Sequence, residues 1–273
     1  MNPEETGQAA AEAFREQHGL GTAPIADLVT LIEQILGMDV AVTDAEDHGH
    51  GMSLRDPARG VAVIGVARTR NPMRQRSTLA HEIGHLVMDD GDFAGAGSAG
   101  VAARTRQEQA ADAFARHLLV PLQGVRSMLE NRTGVTVADL SAAVQRFVAS
   151  PQLVAIQLHR AKLIDAARKA EYMDYTTPQL ASRHGWPDQY QALQAESDQR
   201  RAPQKLLARA VAGYVEGVVP GETIARLRGL PVEQIQQELN DAGIRPTEAP
   251  IRAPAELPVP HLDFRDLDEA AQR

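Results

Sequence analysis

The sequence predicts an α+β chain: helices and a short antiparallel sheet in the first half, then a mostly helical second half with helix-turn-helix-like segments. Three observations predict it. Apolar residues recur at helical spacing over most of the chain, three short apolar or β-branched runs cluster between residues 40 and 67, and proline-rich sequence begins only near residue 246. With 273 residues, 43% hydrophobic and 23% charged, the chain can bury a sizeable core in one to three domains.

Glu4 to His18 reads as an amphipathic helix, and Ile25 to Leu36 as a second, opened by Pro24 and closed by Gly37. Val40 to Thr43, Met52 to Arg55 and Val61 to Ala67 read as strands, with Asp56-Pro57-Ala58-Arg59-Gly60 as a turn between the last two. His48 and His50 lie between the first two strands among Asp44, Glu46 and Asp47. They read as a solvated loop rather than a second metal site, because alternating histidines in a glycine-containing loop impose no fixed geometry.

The third helix carries the chemistry. Thr78-Leu79-Ala80-His81-Glu82-Ile83-Gly84-His85-Leu86-Val87-Met88 contains H-E-x-x-H. Four helical residues turn the chain by roughly 400°, so the His81 and His85 imidazoles leave one face and can grip one zinc ion. Glu82 lies about 100° round from His81, beside the metal, where its carboxylate can take a proton from water. Leu79, Ile83 and Leu86 form a separate, core-facing stripe.

A second stretch, Glu108 to Leu119, is helical up to Pro121 and is separated from the first by Asp89-Asp90-Gly91 and the Gly/Ala-rich residues 95–100. Glu108 and Asp112 fall inside the arc of Ala111, Phe114, Ala115, Leu118 and Leu119, so two carboxylates sit on an inward face. Unpaired burial costs each of them several kcal/mol or more, so a cation or strong donors should lie opposite. A zinc ion and a zinc-bound histidine fit. Alanines at 111 and 115 permit close approach of the first motif helix, and His117, roughly 180° from Glu108, reads as a surface or interdomain residue rather than a ligand.

These two stretches together resemble the ImmA/IrrE metallopeptidases: Arg74-Gln75-Arg76-Ser77-Thr78-Leu79-Ala80-His81-Glu82-Ile83-Gly84-His85, then Glu108-x-x-Ala111-Asp112-x-Phe114-Ala115-x-x-Leu118-Leu119-x-Pro121. The resemblance implies a small zincin-like peptidase domain of the gluzincin type, with His81, His85 and Glu108 as zinc ligands. It also implies Glu82 as the general base and Asp112 as a carboxylate that bonds to a ligand histidine from behind and orients it. Ser77 replaces the usual aromatic and Val120 the usual Met; neither touches a ligand position. Met88 and Gly91 stand where the extended metzincin motif needs Gly and His.

Beyond the motifs, Val137 to Phe147 and Pro151 to Lys162 read as a helix-turn-helix-like pair. Gln152, Gln157, Arg160 and Lys162 would be its DNA contacts, but so few cations favour a packing or docking role. Residues 172–199 are polar, carry the only tryptophan, Trp186, and read as a link or buttress. Gln204 to Glu216, Gly221 to Arg228 and Val232 to Ala242 follow as helices. The last of them carries Glu233, Glu238 and Asp241 without a Lys or Arg, which disfavours a DNA groove and favours protein contact. The division that follows is 1–125 zincin-like metallopeptidase domain, 126–172 helix-turn-helix-like segment, 173–245 helical region and 246–273 proline-rich extended tail.

Composition narrows the setting. There is no cysteine, so any metal site is built from His and carboxylates. A net charge of −8 and a pI near 5.6 disfavour a dominant affinity for nucleic-acid phosphates. No hydrophobic stretch approaches the roughly 18 residues of a membrane span, and Met1 to Ala11 has no signal-peptide core, which predicts a cytoplasmic protein without membrane contact. The resemblance implies a zinc endopeptidase that cuts a helix-turn-helix transcriptional repressor in a stress, mobile-element or toxin-antitoxin setting. The alternative is a non-enzymatic regulator with a structural zinc site that binds protein or DNA through its helical half. Tyr172 and Tyr175 are candidates for an oxyanion donor.

Overall fold

In the computed structural model the described residues are 2–44, 51–56, 61–88 and 106–247. The expected loop of His48 and His50, the turn centred on Pro57, the 95–100 connection and most of the proline-rich tail lie outside them. The architecture is α+β, a small mixed sheet followed by helices to residue 241. Among the described residues, those up to Leu207, with Leu227–Gly229, form one compact unit; Ala208–Arg226 with Leu230–Thr247 form another.

Helix α1 (Pro3–Gln17) starts where the sequence sets a capping box, Asn2 and Glu5 bonding reciprocally, with proline at the first position. The second helix starts later than expected. Asp27, not Pro24, caps α2 (Leu28–Leu31) by accepting from the Thr30 amide, and the chain continues directly into a π-turn, Ile32–Leu36. A side-chain acceptor for the orphan amides outweighs the fixed φ of a proline three residues upstream.

The sheet has strands β1 (Asp39–Thr43), β2 (Met52–Asp56) and β3 (Val61–Ala67) in the order β1-β3-β2. It is mixed rather than antiparallel. Strand β2 pairs antiparallel with β3, while β1 lies parallel on the other side of β3. Strand β3 is a continuous apolar run, which suits the centre of a sheet, whereas β2 exposes Met52 and Leu54 and takes an edge. In register, Val40 pairs Ile64 and Ile64 pairs Ser53, so one inner row reads Val40, Ile64, Ser53. The β1 edge is covered: Val42 and Arg201 exchange backbone hydrogen bonds of 2.9 and 3.0 Å, and the Lys205 amide donates to Asp39.

Helix α3 (Pro72–Met88) lies on the sheet and α4 (Arg106–Leu119) lies on α3. Then come α5 (Leu122–Leu129), α6 (Val137–Phe147), α7 (Pro151–Arg160), α8 (Ala166–Met173), α9 (Thr177–Arg183) and α10 (Pro187–Ser197). The polar 172–199 region is thus helical. Its apolar residues are sparse but well placed: Tyr172, Leu180, Trp186 and Tyr190 join the same core as Phe14, Ile64, Phe114 and Phe147, which runs through the boundaries drawn at 125 and 172. The Tyr172 hydroxyl donates to the Val135 carbonyl at 2.7 Å and the residue is fully buried, so it belongs to this core.

The other unit holds most of α11 (Gln204–Val215) and of α12 (Gly221–Arg228) and all of α13 (Val232–Asp241), with a smaller set of buried residues, Ala210, Ile224, Ala225, Ile235 and Leu239.

His117, expected at a surface or domain boundary, is buried. Its Nε2 lies 3.0 Å from Glu4, and Gln157, also buried, reaches both His117 and the Val120 carbonyl. Arg116 and Arg160 pair with the same Glu4. Gln152 donates to the Met173 and Tyr175 carbonyls. Three of the four residues considered as DNA contacts therefore hold helices together. Burial alone would raise the Glu4 pKa, but the His117 hydrogen bond and the charges of Arg116 and Arg160 outweigh it and leave it lowered. A lowered carboxylate stabilises the fold above its unfolded pKa and loses that contribution as pH falls through the folded value. Glu4→Gln should therefore destabilise the protein by about 1–2 kcal/mol at pH 7, with the difference shrinking below about pH 4.5 in urea titrations.

Candidate metal centre

Helix α3 runs through the H-E-x-x-H motif without a break, so His81 and His85 emerge one turn apart with ring centroids 4.7 Å apart. Leu79, Ala80, Ile83 and Gly84 are buried on its other faces. Helix α4 supplies Glu108 from its first turn and Asp112 one turn later. What lets the helices meet is Gly84. A Cβ there would stand 3.2 Å from the Ala111 Cα and 3.1 Å from the Phe114 ring. Small residues at 84 and 111 thus set the distance across which the side chains converge.

Those side chains do converge. His81 Nε2 lies 3.0 Å from His85 Nε2 and 3.2 Å from a Glu108 oxygen, and His85 Nε2 lies 3.5 Å from the other Glu108 oxygen. Donors bound at ~2.0–2.2 Å around one tetrahedral zinc stand roughly 3.2–3.6 Å apart. The chemistry agrees with the spacing. The Asp112 carboxylate accepts from His81 Nδ1 at 3.0 Å, so the neutral His81 ring carries its proton on Nδ1 and turns the Nε2 lone pair toward Glu108. A lone pair and a carboxylate oxygen at this range repel unless a cation or proton lies between them. The same field acts on His81 itself. Burial alone would lower its pKa, but Asp112, Glu108 and Glu82 outweigh it and leave it raised. Among the described residues, His81, His85 and Glu108 form a cluster that could hold a metal ion.

Glu82 is buried at 6% exposure. Burial raises its pKa, Glu108 adds to this, and His81, His85 and a Ser53 hydrogen bond pull against it; the net direction is upward. A carboxylate shifted this way holds a proton more readily than an exposed one, which suits a group that must accept one and pass it on. Two of its neighbours are absent from the sequence reading. Ser53 bonds to it from β2, and a Cβ on Gly51 would stand 2.7 Å from its Cγ and its Oε1. A glycine opening a strand pattern can mark close backbone approach, but nothing in the spacing joins position 51 to position 82.

Residues 33–159 match the family model Peptidase_M78, described as the IrrE N-terminal-like domain. Over these residues the chain is similar to the IrrE N-terminal-like domain. This is a metallopeptidase-type family, and the matched stretch, just under half the chain, contains all the residues of the centre together with Gly51 and Ser53. Comparison with curated proteins finds no match. Among the described residues of the chain no helix is long and apolar enough to cross a membrane.

Two substitutions separate holding a metal from tuning it. His85→Ala, which removes one of three donors, should abolish stoichiometric metal binding. Asp112→Asn should keep the site but weaken it about 10–100-fold, as for a partner that orients a ligand. Competition against a chromogenic chelator measures both; unchanged affinity in His85→Ala would refute the assignment.

Proposed function

We propose that the chain is a zinc-dependent endopeptidase whose metal is held by His81, His85 and Glu108, with Glu82 as general base. The observation that carries this reading is the convergence of three donors beside a separate buried carboxylate. When bound, zinc at such a three-donor site activates a water in its remaining position and polarises the scissile carbonyl. The rest is the work of the side chains. The Glu82 carboxylate takes the proton of the attacking water at Oε and returns it to the leaving amine nitrogen. Asp112 keeps the His81 proton on Nδ1 and so keeps Nε2 available. A non-enzymatic role with a structural zinc would favour a fourth protein donor, and among the described residues three cluster.

The sheet supports a peptide substrate. Strand β1 is covered by the Arg201 segment, whereas β2 is the edge beside Glu82 and can pair with an extended chain laid over the centre. The substrate we propose is a helix-turn-helix transcriptional repressor, cut to relieve repression in a cytoplasmic stress, mobile-element or toxin-antitoxin response. Such a protein is basic where it binds DNA, and α13, with Glu233, Glu238 and Asp241 and no Lys or Arg, offers charge complementarity.

Co-expression of the full chain with candidate repressors, followed by mass mapping of the products, tests this. The expected outcome is a single cut in one repressor, little digestion of casein, and loss of cleavage in Glu82→Gln with metal retained. Glu233→Lys with Asp241→Lys should slow repressor cleavage without changing metal content. Undiminished cutting by Glu82→Gln would remove the proposed base.

A further inference from the structure

The Glu82 side chain has several rotatable bonds, yet a general base must sit within a few tenths of an ångström of its working position. Two residues of the sheet's edge meet it. Ser53 lies in the inner row of the sheet, where its register neighbours Ile64 and Val40 are fully buried and apolar, while Met52 and Leu54 on either side of it are exposed. A hydroxyl in that row has a polar partner, and the partner is the Glu82 carboxylate. Gly51 closes the other side. A Cβ at position 51 would fall 2.7 Å from Glu82 Oε1 and 2.8 Å from the Thr78 methyl, so the carboxylate occupies the space a side chain would take.

We infer that Gly51 and Ser53 are positioning residues for the base: Ser53 donates a hydrogen bond to the Glu82 carboxylate, and Gly51 leaves the slot in which that carboxylate rests. The inference rests on the proposed role of Glu82 and adds a coupling that role does not require. The strand that would receive the substrate also fixes the base, so aiming of the proton acceptor and docking of the peptide share one element. An added methyl at 51 meets side-chain atoms of Glu82 and the Thr78 methyl rather than backbone, so Gly51→Ala forces the Glu82 carboxylate, the freest of these groups, to shift.

The test uses the zinc-loaded full chain and acetohydroxamic acid as probe, since a hydroxamate binds the metal through its oxygens and shares a proton with an adjacent carboxylate. Metal content and probe affinity are measured for wild type, Glu82→Gln, Ser53→Ala, Ser53→Thr, Gly51→Ala and the double variant Ser53→Ala/Glu82→Gln. All should keep wild-type metal content. Ser53→Ala should weaken the probe about tenfold, the scale of an outer hydrogen bond at a metal site. Ser53→Thr, which keeps the hydroxyl, should restore affinity, and Gly51→Ala should resemble Glu82→Gln. The double variant should be no weaker than Glu82→Gln alone, because Ser53 acts only through Glu82. Wild-type affinity in Ser53→Ala, or an additive loss in the double variant, overturns the positioning role. If Glu82→Gln itself binds the probe as wild type does, the base assignment fails instead. Should Gly51→Ala not fold, the Ser53 series decides.

Discussion

Helix α3 crosses α4 at a point where neither can carry a larger side chain. Gly84 stands against Ala111 and Phe114, and the closeness of that contact brings a carboxylate of one helix within 3.2 Å of an imidazole of the other. A bulkier residue at 84 would separate the helices, and with them the donors. Other packing follows from holding this crossing still. Helix α1 packs along α4 and binds its far end through Glu4, Arg116 and His117, while the buried Arg15 donates to the Leu118 carbonyl at the α4 C-terminus and to the Gly21 and Ala23 carbonyls of the loop after α1. The Arg15 charge has carbonyl partners, and burial lowers its pKa to about 10. A buried cation satisfied by backbone oxygens ties a loop to a helix end and is costly to remove.

The matched domain does not close its own sheet. Ser197 bonds to the Thr69 carbonyl, Gln75 of α3 donates to the Ser197 carbonyl, and Arg201 pairs with β1 and with Glu33. Residues far beyond position 159 therefore complete the packing around β1 and the start of α3. This assigns part of the helical half to building the domain, and it distinguishes the two sheet edges: one is paired, and the other runs beside Glu82.

Much of this was legible in the sequence, and the limits have physical causes. His81, Glu82 and His85 share a helix, so 3.6-residue periodicity alone relates them, and Glu108 and Asp112 announce themselves as carboxylates inside an apolar arc. Strand order was not legible, because apolar runs show where strands are and not which one takes the centre; β3 takes it, which makes β1 parallel and the sheet mixed. His117 looked peripheral by its angle from Glu108, yet α1 and α7 pack on that very side and bury it. Residues 172–199 looked like a link because few apolar residues are scattered among many polar ones, although Tyr172, Leu180, Trp186 and Tyr190 all point into the core. Gly51 and Ser53 were invisible for a related reason: their meaning depends on a contact across the fold, which no local pattern encodes.

X-ray absorption of the zinc-loaded chain reads the coordination by His81, His85 and Glu108 without any assumption about substrate. Two imidazole nitrogens and two oxygens near ~2.0–2.2 Å are expected, one oxygen from Glu108 and one from solvent. A zinc environment with fewer than two imidazoles, or with a four-donor protein shell and no solvent oxygen, would contradict it.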